Sequence, residues 1–272
     1  MEHKKLTHPE GLDLAAADFY GDIIRRLREA EIPFLVGGGF AFSTYTGIVR
    51  DTKDLDIFVL PADVHRILAL ISQAGYKTNN KFPHWLAKIY HEDRLIDVIY
   101  SSGNGVCPVT LDWFDNSSEA TVVGQIVRLT GPEEMIWQKA FIMERHRYDG
   151  ADVNNLLHAC HGRLDWERLH HRFREHRLLL LSHLLLYRFV YPGDQSHECN
   201  ATIQKLIEEL PSDLETTEGS ELSQAPLCRG TLLSLLEYQP AIEQWGYRDA
   251  RLAPDGNMTA AEVEHWSKTF ER

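Results

Sequence analysis

Apolar residues at near-helical spacing (Leu14, Phe19, Ile23, Ile24 and Leu27) predict an amphipathic helix over residues 11–30. Pro33 closes it, and Phe34, Leu35 and Val36 form a short apolar run expected to be a buried strand. The run stops at Gly37, Gly38 and Gly39, a sharp turn where backbone can approach a ligand with no side chain between. Phe40 to Tyr45 is then a short predicted helix, and residues 47–53 are a loop. The alternating segment 54–60, DLDIFVL, predicts a strand. Pro61 opens the next helix, with Val64, Ile67, Leu68 and Ile71 on its apolar face and Gly75 at its end. Strands at about 85–90 and 94–100 flank the turn His91-Glu92-Asp93, and 119–129 is a strand pair around Gly124.

From Gly131 onward the period is helical. Pro132-Glu133-Glu134 starts a helix that continues to Met143, and others are expected at 151–162, 166–175, 178–190 and 202–210. Residues 212–225, rich in Ser, Thr and Glu, predict a loop or linker. The tail from Leu227 carries enough aromatic residues to dock. The expected organisation is therefore an α/β (α+β) domain over 1–130, a helical domain over 131–210, and a linker with a docking segment over 211–272.

Composition changes this picture little. The 272 residues are 43% hydrophobic and 25% charged, ordinary for a soluble globular protein. The longest strongly apolar stretch, 178–186, is too short to span a bilayer, and the N-terminal residues lack the apolar core of a secretory signal. Cys107, Cys160, Cys199 and Cys228 are scattered, as suits reduced thiols, so a cytoplasmic protein is expected. A net charge of −12 argues against general polyanion binding and leaves room for a local basic patch.

The candidate chemistry lies between Val36 and Ile99. Asp54 and Asp56 are two apart on a strand, so both carboxylates leave one face while Leu55 and Ile57 point to a core. Such a pair repels itself unless a cation sits between, and hard oxygen donors suit Mg²⁺ or Mn²⁺ with substrate phosphates. A third acid, Asp97, sits inside the apolar run 95–99, where it needs a partner. On a neighbouring strand it would complete a site for two ions about 4 Å apart. Alternatively, it pairs with Arg94 or Lys88. The glycine turn and the following helix N-terminus offer N–H groups to phosphate oxygens, and Arg50 and Lys53 lie close in sequence to the aspartates. These parts together describe a metal and nucleoside triphosphate site.

The stretch VGGGFA at 36–41 followed by GIVRDTKDLDI at 47–57 resembles the DNA polymerase β-like nucleotidyltransferase superfamily. It is most similar to the small bacterial branch of AbiEii-type toxins and related uncharacterised nucleotidyltransferases, over about Asp18 to Asp152. The resemblance implies a mixed sheet flanked by helices, a nucleotidyltransferase-like catalytic domain over 1–130, and transfer of a nucleoside monophosphate with pyrophosphate release. It implies that Asp54, Asp56 and Asp97 hold Mg²⁺ or Mn²⁺, Asp97 also helping to deprotonate the acceptor. Gly37, Gly38 and Gly39 would face the triphosphate, and Lys139 would contact phosphate from the helical part. Many relatives carry Ser or Thr directly after the glycine pair. Here that place falls to Phe40 or Gly39, and Ser43 and Thr44 lie about a turn later as substitutes.

The acceptor stays open among tRNA, a protein and a small molecule such as an antibiotic. A catalytically weak partner-binding protein of the toxin–antitoxin kind is the alternative. The segment 163–177, dense in Arg and His, is read either as a solvated helix face or as a phosphate-gripping patch.

Overall fold

The computed structural model describes residues 14–50, 52, 54–194, 196–215 and 225–268. They form two compact units, one within 1–131 and 258–269, the other within 132–257.

The first unit is built on a seven-stranded mixed sheet. Helix α1 (Leu14–Glu29) leads into β1 (Phe34–Val36), α2 (Gly38–Thr46), β2 (Asp54–Val59) and α3 (Val64–Gln73). Strands β3 (Lys77–Phe82), β4 (Leu86–His91) and β5 (Arg94–Ile99) follow, then α4 (Leu111–Asp115), β6 (Ser118–Val122) and β7 (Gln125–Leu129). The spatial order is β3-β4-β5-β2-β1-β7-β6. Strand β2 runs antiparallel to β1 and parallel to β5, which places Asp56 opposite Asp97. One face of these strands is apolar: Leu55, Ile57, Ile96 and Val98 are fully buried, as are Ile23, Ile24 and Leu27 of α1 and Ile67 and Ile71 of α3. The burial of these side chains is the main stabilising term of the unit. On the other face, Phe58 stacks on Trp113 of α4, with ring centroids 5.8 Å apart, beneath the acidic end of β2.

Strand β3 is absent from the sequence-based expectation. Its residues, KTNNKF, bury only Phe82. It is the edge strand, where one neighbour suffices and polar residues discourage further pairing.

The second unit contains α5 (Pro132–Ala140), α6 (Gly150–Cys160), α7 (Trp166–Phe173), α8 (Arg177–Val190) and α9 (His197–Glu215). Helix α9 runs through Pro211 into the stretch expected to be a linker, so its first four residues, 212–215, are helical instead; residues 216–224 lie outside the described ones. A short parallel pair, β8 (Leu227–Cys228) and β9 (Arg248–Asp249), brackets α10 (Gln239–Glu243). The tail docks through Glu144, whose carboxylate accepts from Ser234 Oγ at 2.5 Å and from the Leu235 N–H at 2.8 Å. Helix α11 (Ala260–Ser267) then belongs to the first unit. Its Trp266 packs edge-on to Phe82 at 4.6 Å and Trp85 at 5.1 Å, and His265 Nε2 bonds the Lys81 carbonyl at 3.1 Å. Among the described residues, no helix is long and apolar enough to cross a membrane.

The basic segment of α7 fits neither expected reading fully. Glu134 of α5 is fully buried, and Arg168 and Arg172 turn inward to pair with its Oε1 at 2.7 and 2.9 Å. A carboxylate at that depth requires such partners. His183 of α8 is also buried, its Nε2 bonding the Ala140 carbonyl at 3.0 Å. Burial lowers its pKa and that of His176, against the Ala140 bond in the first case and the Glu175 charge in the second. The folded state thus binds fewer protons than the unfolded one as pH drops below about 6.5, the ordinary histidine value, and stability falls with it. The denaturation midpoint is expected to drop between pH 7 and 5, and His183→Gln, which does not titrate, is expected to drop less. Equal pH dependence in both proteins would contradict this.

Candidate functional site

Asp54 and Asp56 arrive from β2 and Asp97 from the adjoining β5, and one carboxylate oxygen from each lies within 4.8 Å of the others. The convergence follows from strand geometry. Residues two apart share a face, and the parallel register adds Asp97 directly across from Asp56. All three residues are half-buried. Asp97 is held by Lys88 of β4, Nζ to Oδ1 at 2.7 Å, so of the two basic residues considered as its partner the structure selects Lys88. Arg94 pairs instead with Glu92 at 2.8 Å and Asp93 at 3.4 Å. Burial pushes the Asp97 carboxyl above the ordinary carboxylate range; Lys88 opposes this and the charge of Asp54 adds to it.

The glycine turn is pressed against these acids. Gly38 has φ +53°, and a Cβ built there would lie 1.6 Å from Asp56 Oδ2. At Gly37 a Cβ would lie 2.2 Å from the Phe58 ring, and the Gly37 N–H donates to the Asp56 carbonyl at 3.0 Å. Helix α2 starts at Gly38 with no side-chain cap, so its first N–H groups carry the partial positive charge of a helix N-terminus next to the acids. Tyr45, on the same helix, donates its hydroxyl to the Thr130 carbonyl at 2.9 Å and anchors α2.

Thr52 lies in the stretch that carries the resemblance, but the sequence assigns it no role. A Cβ at Gly39 would meet its Oγ1 at 2.7 Å, so a hydroxyl stands against the glycine turn although none follows the glycines in sequence. The signal was its place two residues before Asp54, in the same loop as Arg50. Thr52 Oγ1 donates to the Asp54 carbonyl at 3.4 Å, and Thr44 donates its hydroxyl to the Phe40 carbonyl at 2.9 Å. Ser43 is half-buried on α2. Arg50 lies with its guanidinium 4.4 Å from the centre of the Phe42 ring on α2. Lys53 lies outside the described residues.

Lys139 is in the second unit, where its Nζ is held by Asp149 Oδ2 at 2.9 Å and Asp152 Oδ2 at 2.8 Å. Burial would raise the Asp149 carboxyl, but Arg147 and Lys139 outweigh it and hold the group below its ordinary range. Two of the three donors of the Lys139 ammonium are thus taken within the second unit.

A family model described as uncharacterised nucleotidyltransferase matches residues 12–190. No curated protein is significantly similar to the chain. Among solved structures, the antibiotic-resistance factor ANT(2'')-Ia is 20% identical, covering 63% of this chain and 98% of its own, with a TM-score of 0.43. The lincosamide antibiotic adenylyltransferase LnuA, solved with lincomycin bound, is 16% identical over 53% of this chain and 96% of its own, with a TM-score of 0.38. A nucleotidyltransferase-like protein from Thermotoga maritima is 12% identical over 48% and 83%, with a TM-score of 0.36.

Proposed function

The chain belongs to the family of uncharacterised nucleotidyltransferases, and from that membership we propose that it moves a nucleoside monophosphate from a nucleoside triphosphate to an acceptor hydroxyl, releasing pyrophosphate. The observation that carries the reading is the meeting of Asp54, Asp56 and Asp97 within 4.8 Å beside the glycine turn. The donor set fits Mg²⁺ or Mn²⁺: three hard carboxylates, mutually repelling, on two neighbouring strands. When bound, such an ion polarises phosphoryl oxygens and stabilises charge on the attacking and leaving oxygens.

The protein's own groups divide the rest of the work. The N–H groups at Gly38 and Gly39, at the start of α2, receive triphosphate oxygens, while Gly37, whose N–H is held by the Asp56 carbonyl, shapes the turn. Thr52 adds a hydroxyl beside Gly39, and Ser43 and Arg50 flank the same phosphates. Aligned with the α-phosphorus, the acceptor oxygen bonds to it as the link to the bridging oxygen breaks. Pyrophosphate departs with the electron pair, and the hydroxyl proton passes to Asp97.

The test is incubation of the protein with each labelled nucleoside triphosphate and Mg²⁺ or Mn²⁺, with total tRNA, with cell lysate and alone. Transfer of label to RNA, to a protein band or to a small molecule is the expected result, and the labelled species identifies the acceptor class. Absence of transfer under every condition would favour a nucleotidyltransferase-fold binding protein.

A further inference from the structure

We infer that the acceptor is a single-stranded nucleic acid, its hydroxyl end over Asp97 and its preceding phosphates running outward across β4 and β3. The inference rests on the nucleotidyltransferase reading above and names the acceptor class.

Strand register lays two rows of residues across four strands: Asp54, Leu95, Tyr90 and Lys77, and beside it Asp56, Asp97, Lys88 and Asn79. Members of a row leave one face of the sheet, so that face is acidic on β2 and β5 and basic on β4 and β3. On β3, Lys77, Asn79 and Lys81 are exposed, while Thr78 and Asn80 between them are half-buried. Lys77 Nζ lies 5.8 Å from the centre of the Tyr90 ring, and Lys88 gives one of its three donors to Asp97 at 2.7 Å. This basicity runs against the rest of the chain. Residues 64–91 contain none of its 40 acids, although its net charge is −12. Protection of the sheet edge accounts for lysines on β3 and not for Lys88 on the inner strand β4.

The direction of attack assigns this face to the acceptor. Gly38 abuts Asp56 at the turn that leaves β1, the neighbour of β2 on the side away from β5. A triphosphate held by that turn places its pyrophosphate on the β1 side of the acids. In-line displacement then requires the acceptor oxygen on the opposite side, over β5. Whatever carries the hydroxyl must cross β4 and β3, and Lys88 and Lys77 stand one and two strand spacings beyond β5, roughly 5 and 10 Å. A cationic acceptor meets like charges there, whereas phosphates are attracted. Lys77 and Lys81 are about 13 Å apart along β3, more than one phosphate bridges. Cations with an interleaved aromatic ring, here Tyr90, are how proteins hold single strands.

The test incubates full-length protein with labelled nucleoside triphosphates and Mn²⁺, separately with total RNA, with random-sequence single-stranded DNA, and with the protein and small-molecule fractions of a lysate. Label is expected in RNA or in DNA, and the arm that labels identifies the sugar. Lys77→Gln/Lys81→Gln is expected to raise the acceptor KM about tenfold and to flatten its double-logarithmic salt slope by about 1.4, the equivalent of two phosphate contacts, with the triphosphate KM unchanged. Both side chains are exposed, and a wild-type circular dichroism spectrum confirms that the variant folds. Label confined to protein or small molecules, or nucleic-acid transfer with wild-type KM and salt slope in the variant, would overturn the inference and leave the nucleotidyltransferase reading intact. No transfer in any arm would overturn both.

Discussion

An Asp56→Asn variant is expected to transfer label about a thousandfold more slowly than wild type, or not measurably, the equivalent of ~4 kcal/mol of transition-state stabilisation. Asp56 is the middle of the cluster: Asp54 lies two residues before it on β2, and Asp97 faces it from β5. The amide keeps shape and volume but brings no negative charge to hold a cation. Because the substitution also removes one of three mutually repelling charges, the denaturation midpoint should stay level or rise. Initial transfer rates and a denaturation curve on the same preparation check both parts. A variant that keeps wild-type transfer would remove Asp56 from the chemistry, and one that unfolds would give it a structural role instead.

The second large effect is expected at Gly38. In Gly38→Ala the new methyl would occupy the space of Asp56 Oδ2, and the residue would be held at φ +53°. Relief requires either the carboxylate or the turn to move, and an error of about 1 Å in a positioned group already costs on the order of a hundredfold in rate. The left-handed backbone adds about 1–2 kcal/mol of destabilisation. Gly47→Ala isolates the backbone contribution, because Gly47 has φ +74° and nothing within 4 Å of a built Cβ. It is expected to lose a similar amount of stability and to keep its transfer rate. Equal rates in the two variants would mean that the contact with Asp56 carries no function.

Much of the site was legible because strands report their faces in sequence. Asp-x-Asp beside Leu55 and Ile57 reveals a polar and an apolar side of β2, and Asp97 inside an apolar run reveals a polar point on β5. The parallel register that joins them was not legible. Strand β5 reaches β2 only after a hairpin whose outer member, β3, has almost no apolar signature. Thr52, though inside the quoted stretch, has no role in the sequence for a related reason: its contact with Gly39 is made by the return of the loop to the turn, whereas the sequence pattern directs attention to the residue after the glycines. Arg168 and Arg172 read as part of a solvated face or a phosphate-gripping patch because half the positions of α7 are Arg or His, and Glu134, which draws them inward, lies 34 and 38 residues earlier. The end of α9 was hidden by Pro211 and polar composition, which signal a break that the helix does not take.

Helix α11 has a consequence for how the chain is made. It covers Phe82 and bonds the Lys81 carbonyl from a position 184 residues later in sequence. During synthesis, β3 therefore emerges as a bare sheet edge and waits, with Phe82 and Trp85 uncovered, while the whole second unit is translated. An uncovered edge of this kind invites pairing with other chains, and the lysines and asparagines of β3 discourage it for that interval. The polar composition that conceals β3 in the sequence thus also protects the nascent chain.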